Sequence, residues 1–435
     1  MSDSPSSVVV TGLGIVCSIA QNVSEFARGL REGRCGITSL DDPSAPSGQT
    51  SQIGGVIRGF SWQNWLENLK PAHPLLFSRA RKALNNTTDS TRFSACAAMQ
   101  AYLDAKLGDG SQPLDDVGLI VGGNNLSQGY IAQNAEKFRQ PNRRINPKYA
   151  ISFFDSNQVG SISEILSLRG MGFTIGAASA SGNAAIFNAF QWIRHGLLER
   201  CLVVGANMDL SPLEWEGFAI LGAAFAGGTK DPSRACRPFD QTHEGFVWGQ
   251  GSACVMLESK ASAQKRNVPI QGEIAGASLV LDGHHHPDPS VDGEIRAMQA
   301  AIAQSGVRAG QIGYVNAHGT SSPLGDRTEC QAIRTVFRDH LAHVRINSTK
   351  SLIGHCLSAA GVIEMAACLI QLNHGFLHPN LNLREPIDPD LNFACSQAEP
   401  LHTACALSNS FGFGGINSSL VLKKTPPSQT TNNKE

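Results

Sequence analysis

No stretch of the 435-residue chain reaches the roughly 18 consecutive apolar residues that a membrane-spanning helix needs. The opening residues, MSDSPSS, lack a basic flank leading into an apolar core, so no secretory leader is expected there. The eleven cysteines include no C-x-x-C pair and form no His/Cys cluster at zinc-finger spacing. They read as reduced, mostly buried small hydrophobes of a cytosolic protein. Charge of one sign is missing as well. The formal net charge is −1, which gives no bulk attraction to nucleic acid or to a membrane surface. A charged partner would have to be met by a local patch. The expectation is a soluble, cytoplasmic protein with no nucleic-acid and no membrane partner.

Cofactor signals are also missing. No nucleotide, flavin or metal motif occurs. HHHPDP (284–289) is read as a loop, because three successive histidines point in different directions and rarely ligate one ion together. No cofactor and no metal are expected.

Aromatics are few, at 6%, whereas glycines number 44 and hydrophobic residues make up 41%. That composition suits a large core with many tight strand–helix junctions. Buried-strand runs stand at VVVTGLGIV (8–16), VGLIVGG (117–123), CLVVGAN (201–207), ACVMLE (253–258), IGYVNA (312–317) and SSLVLKK (418–424). Helical stretches lie between several of them, which predicts an α/β fold with helices on both sheet faces. Two echoes suggest duplication. SASGNAAIFNAFQWIRHG (179–196) and HCLSAAGVIEMAACLIQLNHG (355–375) share an outline that closes on His-Gly, and VGLIVGGN matches IGYVNAHG. Two halves are expected, 1–265 and 266–424, followed by a polar, proline-containing tail at 425–435.

Four segments carry candidate chemistry. In FTIGAASASGNAAIF (173–187), Ser179 opens an apolar helix, where backbone N–H groups favour negative charge. A lone serine there is ordinarily only a helix cap. In NAHGTSSPLGDRTE (316–329), His318 follows a buried strand, at the kind of strand end where α/β sites gather. A lone histidine there is more often a satisfied structural one, with Asp326 and Glu329 supporting the next helix. In NSTKSLIGHCLSAAG (347–361), Lys350 and His355 lie five apart across a glycine. A helix N-terminus at His355 would favour a neutral, hydrogen-bond-donating imidazole. SNSFGFGGINSS (408–419) alternates glycine with Phe411 and Phe413, either as a packed turn or as a loop whose N–H groups face a ligand.

These four segments in this order, with VVVTGLGIV and RPFDQTHEGFVWGQGSACVMLE (237–258), resemble the β-ketoacyl synthases. The likeness runs from about residue 8 to about 423. It implies a thiolase-like α-β-α-β-α layered sandwich of two duplicated halves, usually a homodimer. Ser179 then takes the place of the nucleophilic cysteine, and His318 and His355 match the pair that holds a malonyl thioester carbonyl, with Lys350 beside them. The N–H groups of residues 179 and 413, next to Gly412, would form an oxyanion hole, and Phe246 would flank the departing carboxylate. Arg143 and Arg144 match a basic pair that meets the acidic acyl carrier protein; such a pair is also an ordinary solvated charge run.

Serine in place of cysteine separates two chemistries. A thiol near pKa ~8.5 is readily activated at a helix N-terminus, whereas a hydroxyl needs a positioned base. Condensation is handicapped and decarboxylation is not. With the ASASGN signature, the chain looks like the malonyl-acyl-carrier-protein decarboxylases of polyketide β-branching cassettes, acting on a malonyl group carried by a phosphopantetheine arm. A condensing synthase or acyltransferase using Ser179, and a non-catalytic chain-length partner, are the alternatives. His243, Glu244, Gln250 and the loop FFDSNQVG (153–160) depart from the common synthase pattern without an assigned consequence.

Overall fold

The computed structural model describes residues 6–40, 53–227 and 229–425. Most of the tail expected at 425–435, and most of the MSDSPSS opening, lie outside the described residues.

Ten strands form one hydrogen-bonded sheet. In chain order they are β1 (Val8–Cys17), β2 (Val117–Gly122), β3 (Gly172–Ile175), β4 (Arg200–Gly205), β5 (Gly251–Ser259), β6 (Gly272–Leu281), β7 (Tyr314–Asn316), β8 (Arg345–Asn347), β9 (Cys405–Gly412) and β10 (Ile416–Lys423). Their order across the sheet is β8-β7-β9-β10-β6-β1-β5-β4-β2-β3. From each outer edge inward, both halves therefore run third, second, fourth, fifth, first. The strand senses repeat too. β2 is parallel to β3 and β4, and β5 is antiparallel to β4 and β1. Likewise β7 is parallel to β8 and β9, and β10 is antiparallel to β9 and β6. The halves meet where β1 and β6 pair antiparallel through Val8–Val10 and Gly272–Ile274.

Every residue of β1, β2 and β5 is buried, the signature of strands covered on both faces. One set of covering helices is α1 (Asp89–Asp104) and α2 (Ser156–Leu166) on the first half. The second half is covered by α4 (Val291–Ser305) and α5 (Pro323–Phe337). Between the halves lie α3 (Ser181–Arg194) and α6 (Ala360–His374), each touching strands of both. Residues 360–372 of α6 are all buried, as a helix that is apolar all round must be. Three apolar clusters separate the layers: a central one around α3 and α6, and one beneath each outer helix pair. The result is the expected α-β-α-β-α sandwich.

Gly182 and Gly361 let the two central helices start against one another. A Cβ on Gly361 would stand 2.3 Å from Asn183 Oδ1 and 2.9 Å from Asn183 N. One on Gly182 would stand 3.0 Å from Val362 N. Side chains there would push the helix starts apart, and the candidate site lies at those starts.

Three local expectations need correction. FFDSNQVG is not a loop, since α2 begins within it at Ser156. SNSFGFGGINSS is a turn only at residues 413–415; its polar and small residues on either side pair in the ladder of a hairpin through Gly412↔Ile416. Neither Ser179 nor His355 opens a helix. Ser179 sits in a 3-10 turn, Ala178–Ala180, and His355 precedes the matching turn Leu357–Ala359. All eleven cysteines are free, and eight of them are buried. No helix among the described residues is long and apolar enough to cross a membrane.

Candidate active site

The 3-10 turn holding Ser179 is built by its neighbours. Ala178 adopts a left-handed φ of 47°, which a small side chain tolerates. Ser181 Oγ accepts the Ala177 N–H at 2.8 Å and donates to the Ala178 carbonyl at 2.6 Å. The Ser181 hydroxyl thus braces the turn, while Ser179 Oγ faces the cavity. There it lies 2.9 Å from His355 Nε2.

His355 is held through its backbone. Its N–H donates to the Val247 carbonyl at 2.6 Å, and its own carbonyl accepts the Gly249 N–H at 2.9 Å. Phe246 packs edge-on against the imidazole, with ring centroids 5.4 Å apart. Nδ1 accepts the Leu357 N–H at 3.3 Å. A neutral ring whose Nδ1 accepts carries its proton on Nε2. Burial, and then the Lys350 ammonium, hold this imidazole well below the usual histidine range, so it is neutral at pH 7. Neutrality was expected, but its main cause is burial and not a helix N-terminus.

His318 follows β7 and meets His355 at a ring-centroid distance of 5.5 Å, nearly perpendicular. Its N–H and that of Gly319 donate to the two Glu329 oxygens at 2.8 and 2.7 Å, while the Asn409 amide donates to the same carboxylate at 3.0 Å. Glu329, on α5, thus fixes the loop that carries His318. Lys350 Nζ stands 3.5 Å from His318 Nδ1 and is paired with Glu364. A donor at Nδ1 again leaves the proton on Nε2. Burial first, then Lys350, then His355 hold His318 well below its usual range. Burial pushes the Glu364 carboxyl up to about 7, against the pull of Lys350. Both Nε2 atoms are neutral N–H donors.

Gly412 closes the site from the hairpin. A Cβ there would lie 2.5 Å from the Ala177 carbonyl and 3.4 Å from Ser179 N, so only glycine allows residues 412–413 to lie against the Ser179 turn. A cavity of about 420 Å³ is lined by Ser179, His318, His355, Phe246, Gly412 and Phe413. Lys350 is 1% exposed and stands behind His318. Arg143 and Arg144 are exposed and line no part of this cavity; the Arg143 guanidinium covers the Phe138 ring at 5.3 Å. The structure thus gathers seven of the nine singled-out residues at one place.

Residues unremarked in the sequence also belong here. Glu364 is the one charge inside the apolar run of α6, and that isolation was its signal. Glu294 lines the cavity but reads in sequence as an ordinary first-turn acid of α4. Gln250 ties its segment to Gly55 and Ile57, donating to the Gly55 carbonyl at 2.7 Å and accepting the Ile57 N–H at 3.0 Å. His243 is buried 3.8 Å from Asp326. The HHHPDP residues form a loop, and no cluster fit for a metal occurs among the described residues.

Fold and site together define a thiolase-like protein in which two buried histidines and a serine hydroxyl line one cavity. Family models agree: "Beta-ketoacyl synthase, N-terminal domain" matches residues 5–263 and "Beta-ketoacyl synthase, C-terminal domain" matches 271–384. The chain belongs to the β-ketoacyl synthase family. It is 35% identical to the polyketide biosynthesis malonyl-ACP decarboxylase PksF of Bacillus subtilis, over 96% of both chains. It is 33% identical to 3-oxoacyl-[acyl-carrier-protein] synthase 2 of Synechocystis, over 96% of this chain and 98% of that one. Among solved structures, the ishigamide ketosynthase/chain length factor superposes with a TM-score of 0.85 at 27% identity, covering 97% of this chain and all of that one.

Proposed function

We propose that the protein is a malonyl-acyl-carrier-protein decarboxylase that makes acetyl-acyl carrier protein for polyketide β-branching. One observation carries the reading. The Leu357 N–H donates to His355 Nδ1, an arrangement that puts the ring proton on Nε2, the nitrogen against Ser179 Oγ; in that tautomer it cannot take a proton from the hydroxyl. Ser179 therefore has no base to make it a nucleophile.

The same geometry suits loss of CO2. A malonyl thioester whose carbonyl oxygen lies between the two Nε2–H donors would find stabilisation where enolate charge develops. The C2–carboxylate bond breaks, its electron pair moves into the enolate, and CO2 leaves past Phe246, whose apolar ring favours the neutral product over the carboxylate. Lys350 and Glu364 act behind His318, holding its tautomer. The N–H groups of Ser179 and Phe413 supply a second pair of donors. The likeness to PksF supports the substrate class. Arg143 and Arg144 are assigned to docking the acidic carrier protein.

A condensing synthase or acyltransferase using Ser179 is the second reading, favoured by relatives such as the Synechocystis synthase. A non-catalytic chain-length partner fits less well with two retained histidines. Incubation with malonyl-acyl carrier protein, followed by mass spectrometry of the acyl group, separates the three. The proposal expects acetyl carrier protein and no adduct on the enzyme. An acyl-Ser179 adduct followed by a β-ketoacyl product favours the synthase, and unchanged malonyl carrier protein favours the inert partner.

The functional unit proposed is a homodimer of chains whose halves divide near residue 265. β3 lies at the open sheet edge with Phe173 exposed, an edge that a second copy would cover. Light scattering that showed monomer at all concentrations would remove the dimer.

A further inference from the structure

A decarboxylase needs something a condensing enzyme does not: a proton for C2 of the enolate. The two histidine N–H groups are directed at the thioester oxygen, and the Lys350 ammonium is engaged with Glu364 and His318. The proton for carbon must come from another group. Among the carboxyl groups that line the cavity, Asp288 is exposed to solvent, Asp326 accepts the Phe239 and Ser321 N–H groups, and Glu329 accepts those of His318 and Gly319. Asp282 accepts the Asn417 amide at 2.7 Å. Such donors favour the ionised form and oppose burial, which still raises all three and takes Asp326 up to about 7. Glu294 has none. It is 1% exposed, its Oε2 is sealed without a hydrogen-bond partner, and no cation pairs with it among the described residues. Burial, with Glu329, Asp282 and Asp326 as its charged neighbours, pushes its carboxyl well above the usual range. A buried acid with no partner and only like charges around it keeps its proton at pH 7.

We propose that Glu294 is the acid that protonates the enolate at C2, a role resting on the decarboxylase reading above. When CO2 departs, the electron pair of the broken C–C bond is held in the enolate. It then forms the new C2–H bond with the proton from the Glu294 carboxyl. The products are an acetyl thioester and a Glu294 carboxylate. Burial among like charges makes that carboxylate basic, so it recovers a proton from water at the cavity mouth before the next turnover.

The test compares wild type, Glu294→Gln and Glu294→Asp on malonyl-acyl carrier protein in the presence of ¹³C-labelled CO2, following acetyl formation and label in the remaining malonyl group. Wild type should form acetyl without incorporating label. In Glu294→Gln, acetyl formation should fall about 100-fold, the usual worth of a general acid. The stranded enolate should recapture CO2, so label should enter the malonyl carboxyl. Glu294→Asp should keep most of the rate and show little label, and it decides the matter if the Gln variant does not fold. Unchanged acetyl formation in Glu294→Gln, or a slow variant with no label entering malonyl, would overturn the role while leaving the decarboxylase intact. Wild type that releases no CO2 would instead remove the decarboxylase reading itself.

Discussion

The two halves share one plan and differ in what they place at its centre. Each leads a chain through a 3-10 turn into a central helix. The turns read Ala178-Ser179-Ala180 and Leu357-Ser358-Ala359, with left-handed first residues at φ 47° and 49°. Both helices end on a left-handed glycine, Gly196 and Gly375. Both turns even carry a serine that lines the cavity. The C-terminal half alone adds titratable chemistry, with His318 after β7, Lys350 after β8 and His355 before the turn. In the strand match between the halves, Gly123 stands where His318 does. Duplication supplies two opposed turns and close helix starts; divergence puts the N–H donors on one side and a bare hydroxyl on the other.

If the C-terminal half holds the chemistry, the largest losses must come from it. His318→Ala and His355→Ala should each lower decarboxylation by about two orders of magnitude or more, as removal of an oxyanion donor does. Initial rates on malonyl-acyl carrier protein, with circular dichroism as the control for folding, check this. A folded variant with full activity would take that histidine out of the mechanism.

The two crossing glycines sharpen the comparison at the level of packing. Gly361→Ala would drive its Cβ against Asn183, including the backbone N, whereas Gly182→Ala meets its nearest atoms at 3.0 Å or more. Overpacking of this kind costs about 1–3 kcal/mol. Gly361→Ala should destabilise by about that much in urea unfolding, and Gly182→Ala by clearly less. Equal values would mean that the helix starts relax symmetrically.

Much of this plan was legible in the chain. The strand runs at 8–16, 117–123 and 201–207 were plain because both faces of each strand are buried, which makes continuous apolar stretches. The echo of 179–196 in 355–375 was plain because both segments solve the same packing problem. β6, β8 and β9 went unmarked. Arg345–Asn347 is too short to show a pattern, and Cys405–Gly412 carries serine, asparagine and glycine where a ladder beside the Ser179 turn leaves little room. At the site, residue types and order pointed to Ser179, His318, Lys350 and His355. Which atom of which ring bears a proton was not legible, since it depends on the Leu357 N–H and on Lys350 reaching back to His318. Glu294 was hidden for a like reason: nothing local tells a buried first-turn acid from a solvated one.

A smaller effect is expected far from the cavity. Arg143→Glu with Arg144→Glu should raise the apparent KM for malonyl-acyl carrier protein by about tenfold, which is about 1.4 kcal/mol, and leave a small malonyl thioester nearly unaffected. A chain of net charge −1 has no bulk field to attract an acidic partner, so a local pair must do it. The difference should shrink in high salt as the charges are screened. Steady-state kinetics on both substrates check it, and equal changes on the two would remove the docking role.

The smallest effects should fall on the two serines that the duplication set face to face. Ser179 Oγ touches His355 Nε2, and with the ring proton on that nitrogen, as the Leu357 N–H at Nδ1 favours, removing the hydroxyl removes an acceptor and not a nucleophile. Ser179→Ala should therefore keep decarboxylation to within about 1 kcal/mol of transition-state stabilisation, the net worth of one hydrogen bond. It frees the His355 N–H for the thioester oxygen, which offsets part of that loss. Among the described residues Ser358 Oγ makes only a 4.0 Å contact with Met208 Sδ, so Ser358→Ala should change the rate still less. Ser179→Cys breaks the pattern in a telling way. A thiol in the same turn needs no base as strong as a hydroxyl does, so self-acylation should become measurable by mass spectrometry. Ser358→Cys, whose side chain meets Met208 and not the imidazole, should show none. A dead Ser179→Ala variant together with acyl-Ser179 in the wild type would mean that the hydroxyl is a nucleophile after all, and the two halves would then divide the chemistry differently.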